Sequence, residues 1–292
     1  MVKLTIIGVP YAAGRLEEGM GLGPARYLEA GADVVLAKAG HDVEVVRLRQ
    51  GLEGAATEPD AVARIDAVLA SAVSEALAAG RFPLVLAGNC NSCLGTLAAL
   101  QGGERPTIPA VGIVWFDAHG DLNTPETSPG GFFDGMGLAI ATGRCWSEVR
   151  RGAGLASAVV ESCVLHLGSR DLDPPESRYL EESAMLSLSA AELQRAGGAE
   201  ALRAALGTLG ARAEGVYLHI DIDVLSGDHA PGVDFPSPGG LGFDELEDAV
   251  RTVAREVPVR AAALTAYSPD RDRDETTLRS GLRLMELIAE VV

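Results

Sequence analysis

The sequence is poor in basic residues, and this shortage excludes two classes of partner. Only 24 lysines and arginines stand against 41 acidic residues in a chain of 292, which gives a formal net charge of −17. Phosphate backbones and anionic membranes attract proteins through a positive field at the contact surface, which a chain this acidic opposes. We therefore expect neither nucleic acid nor a membrane as a partner.

Signals for export, membrane insertion and disulfide bonding are also lacking. The start MVKLTIIGVP has no basic end and small-residue cleavage site, and no run of 18 apolar residues follows. The four cysteines, Cys90, Cys93, Cys145 and Cys163, are too few for a disulfide framework in a chain this long. These absences predict a cytoplasmic protein with reduced thiols.

Short β-branched runs alternate with longer segments rich in alanine and leucine, a pattern typical of strand–helix–strand units. The predicted strands lie near 3–9, 42–48, 83–87, 111–117, 162–168, 185–188, 215–221 and 259–266. The predicted helices lie near 24–39, 60–79, 92–101, 190–208, 243–256 and 274–291. No linker or repeat divides the chain, so we predict one α/β domain over residues 1–292, with three α/β/α layers and an eight-stranded, mostly parallel sheet.

Metal-binding side chains follow two of the predicted strands. In VWFDAHGD, the residues Asp117, His119 and Asp121 alternate along the chain and so share a face, and Asp221 and Asp223 repeat this spacing in HIDID. Each motif alone is common in loops and at helix caps, but ligands of such folds bind beyond the carboxyl ends of the strands. Four buried carboxylates cannot all stay ionised there without cations, which predicts two divalent metals, Mn²⁺, Fe²⁺ or Zn²⁺.

These motifs resemble those of the arginase/agmatinase (ureohydrolase) family. DAHGDLNTP is similar to the Asp-Ala-His-x-Asp-x-Asn signature of that family, and HIDIDVLSGDHAPGVDFPSPGGL and LGSRDLDPPE resemble two later segments. The resemblance implies an eight-stranded parallel sheet, a binuclear manganese cluster and hydrolysis of a C–N bond at a guanidinium or amidine carbon. It also implies that Asp117 and Asp221 bridge both metals, that Asp121 binds the first, and that His119 and Asp223 bind the second. Trimers or hexamers are the assemblies that the resemblance suggests.

One family ligand is replaced in this sequence. VLAGNCNSCLG puts Cys90 where the family has a histidine, and we predict Cys90 as the sixth metal ligand because a thiolate can bind such metals. A thiolate shifts the preference toward Zn²⁺ or Fe²⁺. Two alternatives are a small buried thiol at a strand-to-helix turn and a thioredoxin-like redox pair of Cys90 and Cys93, although the latter leaves both acidic motifs unexplained.

The residues expected to face the substrate differ more from the family pattern. Asp134 stands in place of a proton-shuttling histidine, and Gly130 and Phe132 stand in place of groups that bind the α-carboxylate of arginine. Arginine is therefore not the expected substrate. The guanidinium-binding glutamate is replaced by Ala266, with Tyr267 beside it. By resemblance, Asn123 and Asp173 also face the substrate, although Asp173 before a proline is equally typical of a solvent-facing turn.

We predict a metal-dependent hydrolase that cleaves a C–N bond of a non-standard guanidine or amidine small molecule, with a hydroxyguanidine as one candidate. A metal-bridging hydroxide would attack the carbon, Asp221 and the metals would stabilise the intermediate, and Asp134 would move a proton to the leaving nitrogen. His229, in the loop SGDHAPG, is an alternative acid or base, whereas His41, His166 and His219 are interpreted as core or edge residues.

Two other functions stay open. One is a dimetal hydrolase of an amide, imide or ester with an apolar pocket near Phe132, Phe133 and Tyr267. The other is a non-catalytic family member that binds a metal or a metabolite.

Overall fold

Eight strands pair side by side in one parallel sheet. The computed structural model describes residues 1–49, 54–102, 111–128 and 130–292. The strands are β1 (Lys3–Val9), β2 (Asp42–Arg47), β3 (Phe82–Ala87), β4 (Val111–Phe116), β5 (Val164–Leu167), β6 (Leu186–Leu188), β7 (Gly215–Asp221) and β8 (Val259–Thr265). Their order is β2-β1-β3-β8-β7-β4-β5-β6, and all neighbours run parallel. The predicted eight-stranded sheet is confirmed.

The described residues also form eleven α-helices. They are α1 (Gly23–Glu29), α2 (Ala32–Lys38), α3 (Glu58–Ala78), α4 (Cys93–Gln101), α5 (Gly137–Ala141), α6 (Ser147–Gly152), α7 (Pro174–Glu182), α8 (Ala190–Gln194), α9 (Gly198–Gly210), α10 (Phe243–Glu256) and α11 (Thr276–Val291). The helices predicted at 24–39 and 190–208 are each two helices. Their breaks lie at Gly31 and Gly197, where φ is 84° and 88°, a left-handed conformation that ends a right-handed helix.

Helices cover both faces of the sheet, which gives the predicted three layers. Alternate residues of a strand point to opposite faces. On β4, Val114 and Phe116 join one core with α9, α10 and α11, whereas Ile113 and Trp115 join the other with α3 and α4. The same alternation along β7 places Tyr217 on the α3/α4 side of the sheet.

The four central strands, β3, β8, β7 and β4, end at the same edge of the sheet. Because these strands are parallel neighbours, the segments that follow them meet beyond that edge. The segment after β3 contains Cys90, in a 3₁₀ turn at Cys90–Ser92, and the segment after β8 begins with Ala266. Asp117 follows β4, and Asp221 is the last residue of β7. The fold therefore brings the sequence motifs together.

Candidate metal centre

Four aspartates from β4, β7 and their following loops converge in one buried site. Asp117, Asp121, Asp221 and Asp223 expose only 1%, 7%, 4% and 5% of their surface. Backbone groups hold two of them in place, since the amide of Ala118 donates to Asp223 Oδ1 at 3.1 Å and the amide of Asp223 donates to Asp221 Oδ1 at 2.8 Å. The convergence predicted from their spacing is observed, while their role as metal ligands stays a prediction.

His119 joins the carboxylates that come from the two strands. Its Nδ1 lies 3.4 Å from Asp117 Oδ1 and 3.0 Å from Asp223 Oδ2. Burial opposes the charged imidazole, but the two carboxylates outweigh it and raise the pKa of His119 to about 12. His119 in turn lowers the pKa of Asp223 against the effect of burial. In the absence of a metal, a proton on His119 holds this part of the site together.

The other acids of the site are held in an unfavourable environment. Burial, followed by the charge of Asp223, raises the pKa of Asp117 to about 6. Burial and neighbouring aspartates also raise the pKa values of Asp121 and Asp221 well above the ordinary range. A cation bound among these groups would favour their ionised forms.

The donor chemistry of the site fits divalent metal ions. Oδ2 of Asp121 is buried and has no hydrogen-bond partner, an arrangement that is costly unless a ligand satisfies that oxygen. The backbone of Asp121 also has a φ of 52°, which is uncommon for a residue other than glycine and frequent at functional sites. Donor atoms of Asp117, His119 and Asp223 lie within 4.8 Å of one another, as the ligands of one ion do.

Cys90 lies directly against the acids. Its thiol donates to Asp221 Oδ2 at 3.1 Å and lies 3.3 Å from Thr265 Oγ1. Burial, followed by the charge of Asp221, raises the pKa of this thiol. Cys93 is fully buried, its sulfur lies 3.7 Å from the carbonyl oxygen of Gly137, and both cysteines are free. Redox-active cysteines have accessible thiols with a lowered pKa, so this geometry disfavours the thioredoxin-like interpretation.

Asp134 lines the cavity that also contains these acids. It is 5% exposed, and its Oδ1 accepts a hydrogen bond of 3.0 Å from the backbone amide of Asn91. Burial, with smaller contributions from Asp117 and Glu58, raises the pKa of Asp134 to about 7. Burial is the largest cause of this rise, ahead of the neighbouring acids.

A cavity of about 300 Å³ leads from the outside to the aspartates. Beyond the metal centre its wall contains the predicted Asn123, Gly130, Phe132, Asp134 and Asp173. Asn123 Nδ2 donates to Asp173 Oδ2 at 2.8 Å, and Asp173 also precedes α7 directly. Further acidic side chains line the cavity, namely Asp171, Glu176 and Asp234. No lysine or arginine of the described ranges lines it.

Two predicted site residues lie elsewhere. Tyr267 is 2% exposed, and its hydroxyl donates to Asp272 Oδ2 at 3.1 Å, so it faces the core rather than the cavity. The cause is Ala266, which lines the cavity with a φ of 65° and so turns the next side chain away. His229 does not line the cavity either, and its carbonyl oxygen accepts a bond from Ser280.

The apolar pocket that was predicted near Phe132, Phe133 and Tyr267 has a different composition. Phe133 is 3% exposed and packs edge-on against Trp146 at a centroid distance of 5.5 Å. Phe132 instead pairs with Phe235 from the loop after β7, with centroids 4.8 Å apart. Their exposed fractions are 39% and 47%, and both rings line the cavity. The sequence analysis did not single out Phe235, and no local pattern marks it.

The sequence analysis also missed the role of two buried residues, Trp115 and His219, that lie beside the centre. Trp115 Nε1 donates to Asp117 Oδ2 at 3.0 Å, and the Trp115 ring stacks on His219 at 3.5 Å. The alternation that identified Asp221 and Asp223 extends back to His219, which is the signal that could have revealed it.

The comparisons with known proteins all find similarity to arginases. A family model described as the arginase family matches residues 2–289. The arginase of Bacillus caldovelox is 31% identical over 294 aligned positions, which cover 98% of this chain and 97% of that protein. The arginase of Bacillus subtilis is 30% identical over 289 positions, covering 97% and 96%. The crystal structure of the arginase from Bacillus cereus superposes with a TM-score of 0.88 at 30% identity, covering 98% of both chains.

Proposed function

Since this chain belongs to the arginase family, whose members are hydrolases of amidino C–N bonds, we propose that it hydrolyses a small cationic guanidine or amidine other than arginine. The observation that carries the proposal is the buried group of four aspartates at the base of an acid-lined cavity, with one carboxylate oxygen of Asp121 unpartnered. The family generally binds a binuclear metal centre, typically of Mn²⁺.

The charge of the cavity supports a substrate without a carboxylate. Its wall includes Asp171, Asp173, Glu176 and Asp234 in addition to the aspartates of the centre. Arg271 pairs with Asp234 at 2.5 Å, but no described lysine or arginine lines the cavity itself. Such a wall attracts cations and repels anions. Gly130 offers no side chain to bind a carboxylate, and Phe132 offers only an apolar ring. A guanidinium or amidinium without an acid group therefore suits this cavity better than an amino acid does.

The proposed metal ligands are Asp117, Asp121, Asp221 and Asp223 with His119 and Cys90. Bound metals lower the pKa of a bound water, which supplies a nucleophilic hydroxide near neutral pH. The protein orients the ligands through its own hydrogen bonds. The indole of Trp115 fixes one oxygen of Asp117, and the amide of Ala118 fixes one oxygen of Asp223.

Asp134 is the proposed proton donor to the leaving nitrogen. In the reaction, the oxygen of water bonds to the amidine carbon, the C–N bond breaks, and the departing amine takes up a proton. Asp134 lines the cavity and has a pKa raised to about 7 by burial, so a large fraction is protonated near neutral pH. The Asn123–Asp173 pair provides an amide oxygen and a carboxylate for the cationic part of the substrate.

A hydroxyguanidine is the substrate that we propose within this class. Ala266 occupies the position where the family pattern has a carboxylate for the guanidinium, so the cavity offers no bidentate partner there. A hydroxyguanidine is a weaker base than a guanidine, and its binding depends less on such a partner.

Hydrolysis of an apolar amide, imide or ester is the second candidate function, and the exposed pair of Phe132 and Phe235 favours it. Phe132 and Phe235 present two rings to the cavity, which suits a neutral amide, imide or ester with an aromatic or alkyl group. The same pair also suits an apolar substituent on a guanidine.

A substrate panel separates these candidates. The protein is stripped with a chelator, loaded with Mn²⁺ and incubated with arginine, agmatine, hydroxyguanidines, amidines and neutral amides. We expect urea, hydroxyurea or ammonia from carboxylate-free guanidines or amidines at a kcat/KM above that for arginine. Release from neutral amides alone would support the second candidate. If no member of the panel yields a product, the proposal is wrong. The subunit number, which the resemblance puts at three or six, is measured on the same samples by light scattering.

A further inference from the structure

His219 is a buried imidazole beside the proposed metal ligands. It lies on β7 two residues before Asp221, on the face of the sheet that carries Trp115 and Tyr217, and it is fully buried. Donor atoms of Cys90, Asp117 and His219 lie within 4.8 Å of one another. Two ligands of one ion, each about 2.0–2.3 Å from it, are separated by no more than about 4.6 Å, so this spacing is close to that of a shared ion.

The surroundings of His219 fix the orientation of its ring. Nδ1 lies 2.8 Å from the hydroxyl of Tyr217, and the ring stacks on Trp115 with an interplanar angle of 9°. Nε2 faces the other way, 3.4 Å from Thr265 Oγ1, which lies 3.3 Å from Cys90 Sγ. Histidines that bind metals use one nitrogen for the metal and the other for a hydrogen bond that holds the ring. His219 has this arrangement, with Nε2 on the side of the centre.

We propose that His219 is a metal ligand through Nε2 and that it shares an ion with Cys90 and Asp117. The imidazole that position 90 lacks is then supplied from β7, which is separated from β3 by β8 in the sheet. This inference rests on the metal centre of the proposed function, but it concerns the ligands and not the substrate.

The two donor groups of the centre then differ in chemistry and depth. The deep group combines a thiolate, an imidazole and a carboxylate, and its residues are all buried. The shallow group combines His119 with the carboxylates of Asp117 and Asp223, and the His119 side chain is 28% exposed. Thiolate and imidazole favour Zn²⁺ or Fe²⁺ over Mn²⁺, whereas carboxylates suit Mn²⁺. The centre is therefore expected to bind two different metals, the softer one beside Cys90.

Cobalt substitution tests the ligand assignment without measuring activity. Metal-free protein is titrated with Co²⁺ under argon, followed by absorption spectroscopy and by cobalt K-edge X-ray absorption. We expect a thiolate-to-cobalt band, a sulfur scatterer at about 2.3 Å and two imidazoles for two cobalt ions. In His219→Gln the imidazole count should fall to one, and the affinity for one of the two ions should fall by more than about 100-fold. Cys90→Ser should abolish the band.

Two further variants make the test decisive. His166→Gln is the matched control, because His166 is also fully buried in the same sheet, on β5 beyond β4, and belongs to neither donor group. It should leave the imidazole count and both affinities unchanged. Tyr217→Phe keeps the His219 ring but removes its hydroxyl partner, and one affinity should fall by about 10-fold. If circular dichroism shows that His219→Gln is misfolded, Tyr217→Phe decides.

An unchanged imidazole count in folded His219→Gln would overturn the assignment, and so would unchanged affinities in Tyr217→Phe when that variant decides. The proposed function fails separately, through the substrate panel. A protein that shows the expected cobalt spectra but releases no product supports His219 as a ligand and contradicts the hydrolase.

Discussion

Removing the metals should make this protein less stable as the pH rises. The pKa of Asp117 is raised from its ordinary 3.8 to about 6 by burial and Asp223, so the folded chain holds a proton that the unfolded chain releases. The same holds for Asp134, whose pKa is about 7. When the native state binds more protons than the unfolded state, the free energy of unfolding decreases with increasing pH. The loss therefore begins near pH 4 and continues through pH 7.

The size of the effect follows from Asp117 alone. A rise of about two pH units, at about 1.36 kcal/mol for each, costs about 3 kcal/mol of stability once the pH exceeds the folded pKa. For a domain of this size that corresponds to a decrease in Tm on the order of 5 °C. His119 contributes in the same direction at higher pH, because its pKa is raised to about 12 and the loss begins near its ordinary value of 6.5. Bound metals replace the protons of Asp117 and His119 and should remove their share of the decrease, whereas the share of Asp134, which is not a proposed ligand, should remain.

The Tm of thermal unfolding, measured with and without Mn²⁺, tests this prediction. Between pH 5 and pH 8, the Tm in chelator should fall, and the difference between loaded and metal-free protein should widen. Asp121→Asn is the matched variant, because Oδ2 of Asp121 has no partner to lose and asparagine tolerates a φ of 52°. It should show a smaller decrease with pH in chelator and a smaller gain from Mn²⁺. A metal-free Tm that is level or rising from pH 5 to pH 8 would refute the reasoning.

Five other substitutions have expected outcomes. Asp134→Asn should lower kcat by about 100- to 10,000-fold because the leaving nitrogen loses its acid, and an unchanged kcat excludes that role. Phe132→Ala and Phe235→Ala should raise KM for guanidines with aromatic groups more than for small alkyl guanidines, and equal effects in steady-state assays would contradict a role in binding. Gly88→Ala should destabilise by about 3 kcal/mol, since its Cβ would lie 2.3 Å from a backbone carbonyl oxygen, whereas Gly207→Ala, in open space on α9, should stabilise by about 0.5–1 kcal/mol. Urea unfolding measures both, and equal stabilities would contradict the packing argument.

Most strands were predictable because they are short apolar runs, whereas β2 (DVEVVR) alternates apolar and charged residues. The run VGIVWF is buried throughout as β4, and β1, β7 and α10 occupy the predicted ranges. The breaks at Gly31 and Gly197 were not predictable, since a glycine inside a helical pattern either stays helical or adopts a positive φ, depending on tertiary packing. Helix α7 was not predicted, although Asp173, prolines and Glu176 together form a typical helix start.

The site was predictable where it depends on spacing, and not where it depends on backbone conformation. Asp117 and Asp221 follow buried strands, so topology alone brings them together. Tyr267 was expected in the cavity because it follows β8, but the positive φ of Ala266 reverses which side chain faces inward. His219 was interpreted as a core residue because a lone histidine in an apolar strand is usually one. The thiol of Cys90, from the segment after β3, lies near this histidine only in the folded structure, and that proximity is what indicates a metal ligand.

Several unfavourable local features of this chain occur together around one cavity, and their coincidence supports a function at this site. Of the six non-glycine residues with positive φ in the described ranges, Asp121 and Ala266 line the cavity that also contains the raised-pKa aspartates. Each feature costs stability by itself, and none improves the packing of the sheet. A protein retains such costs together where a ligand offsets them. For the aspartates that ligand is a cation, which explains why a chain with a charge of −17 places its acids where burial penalises them most.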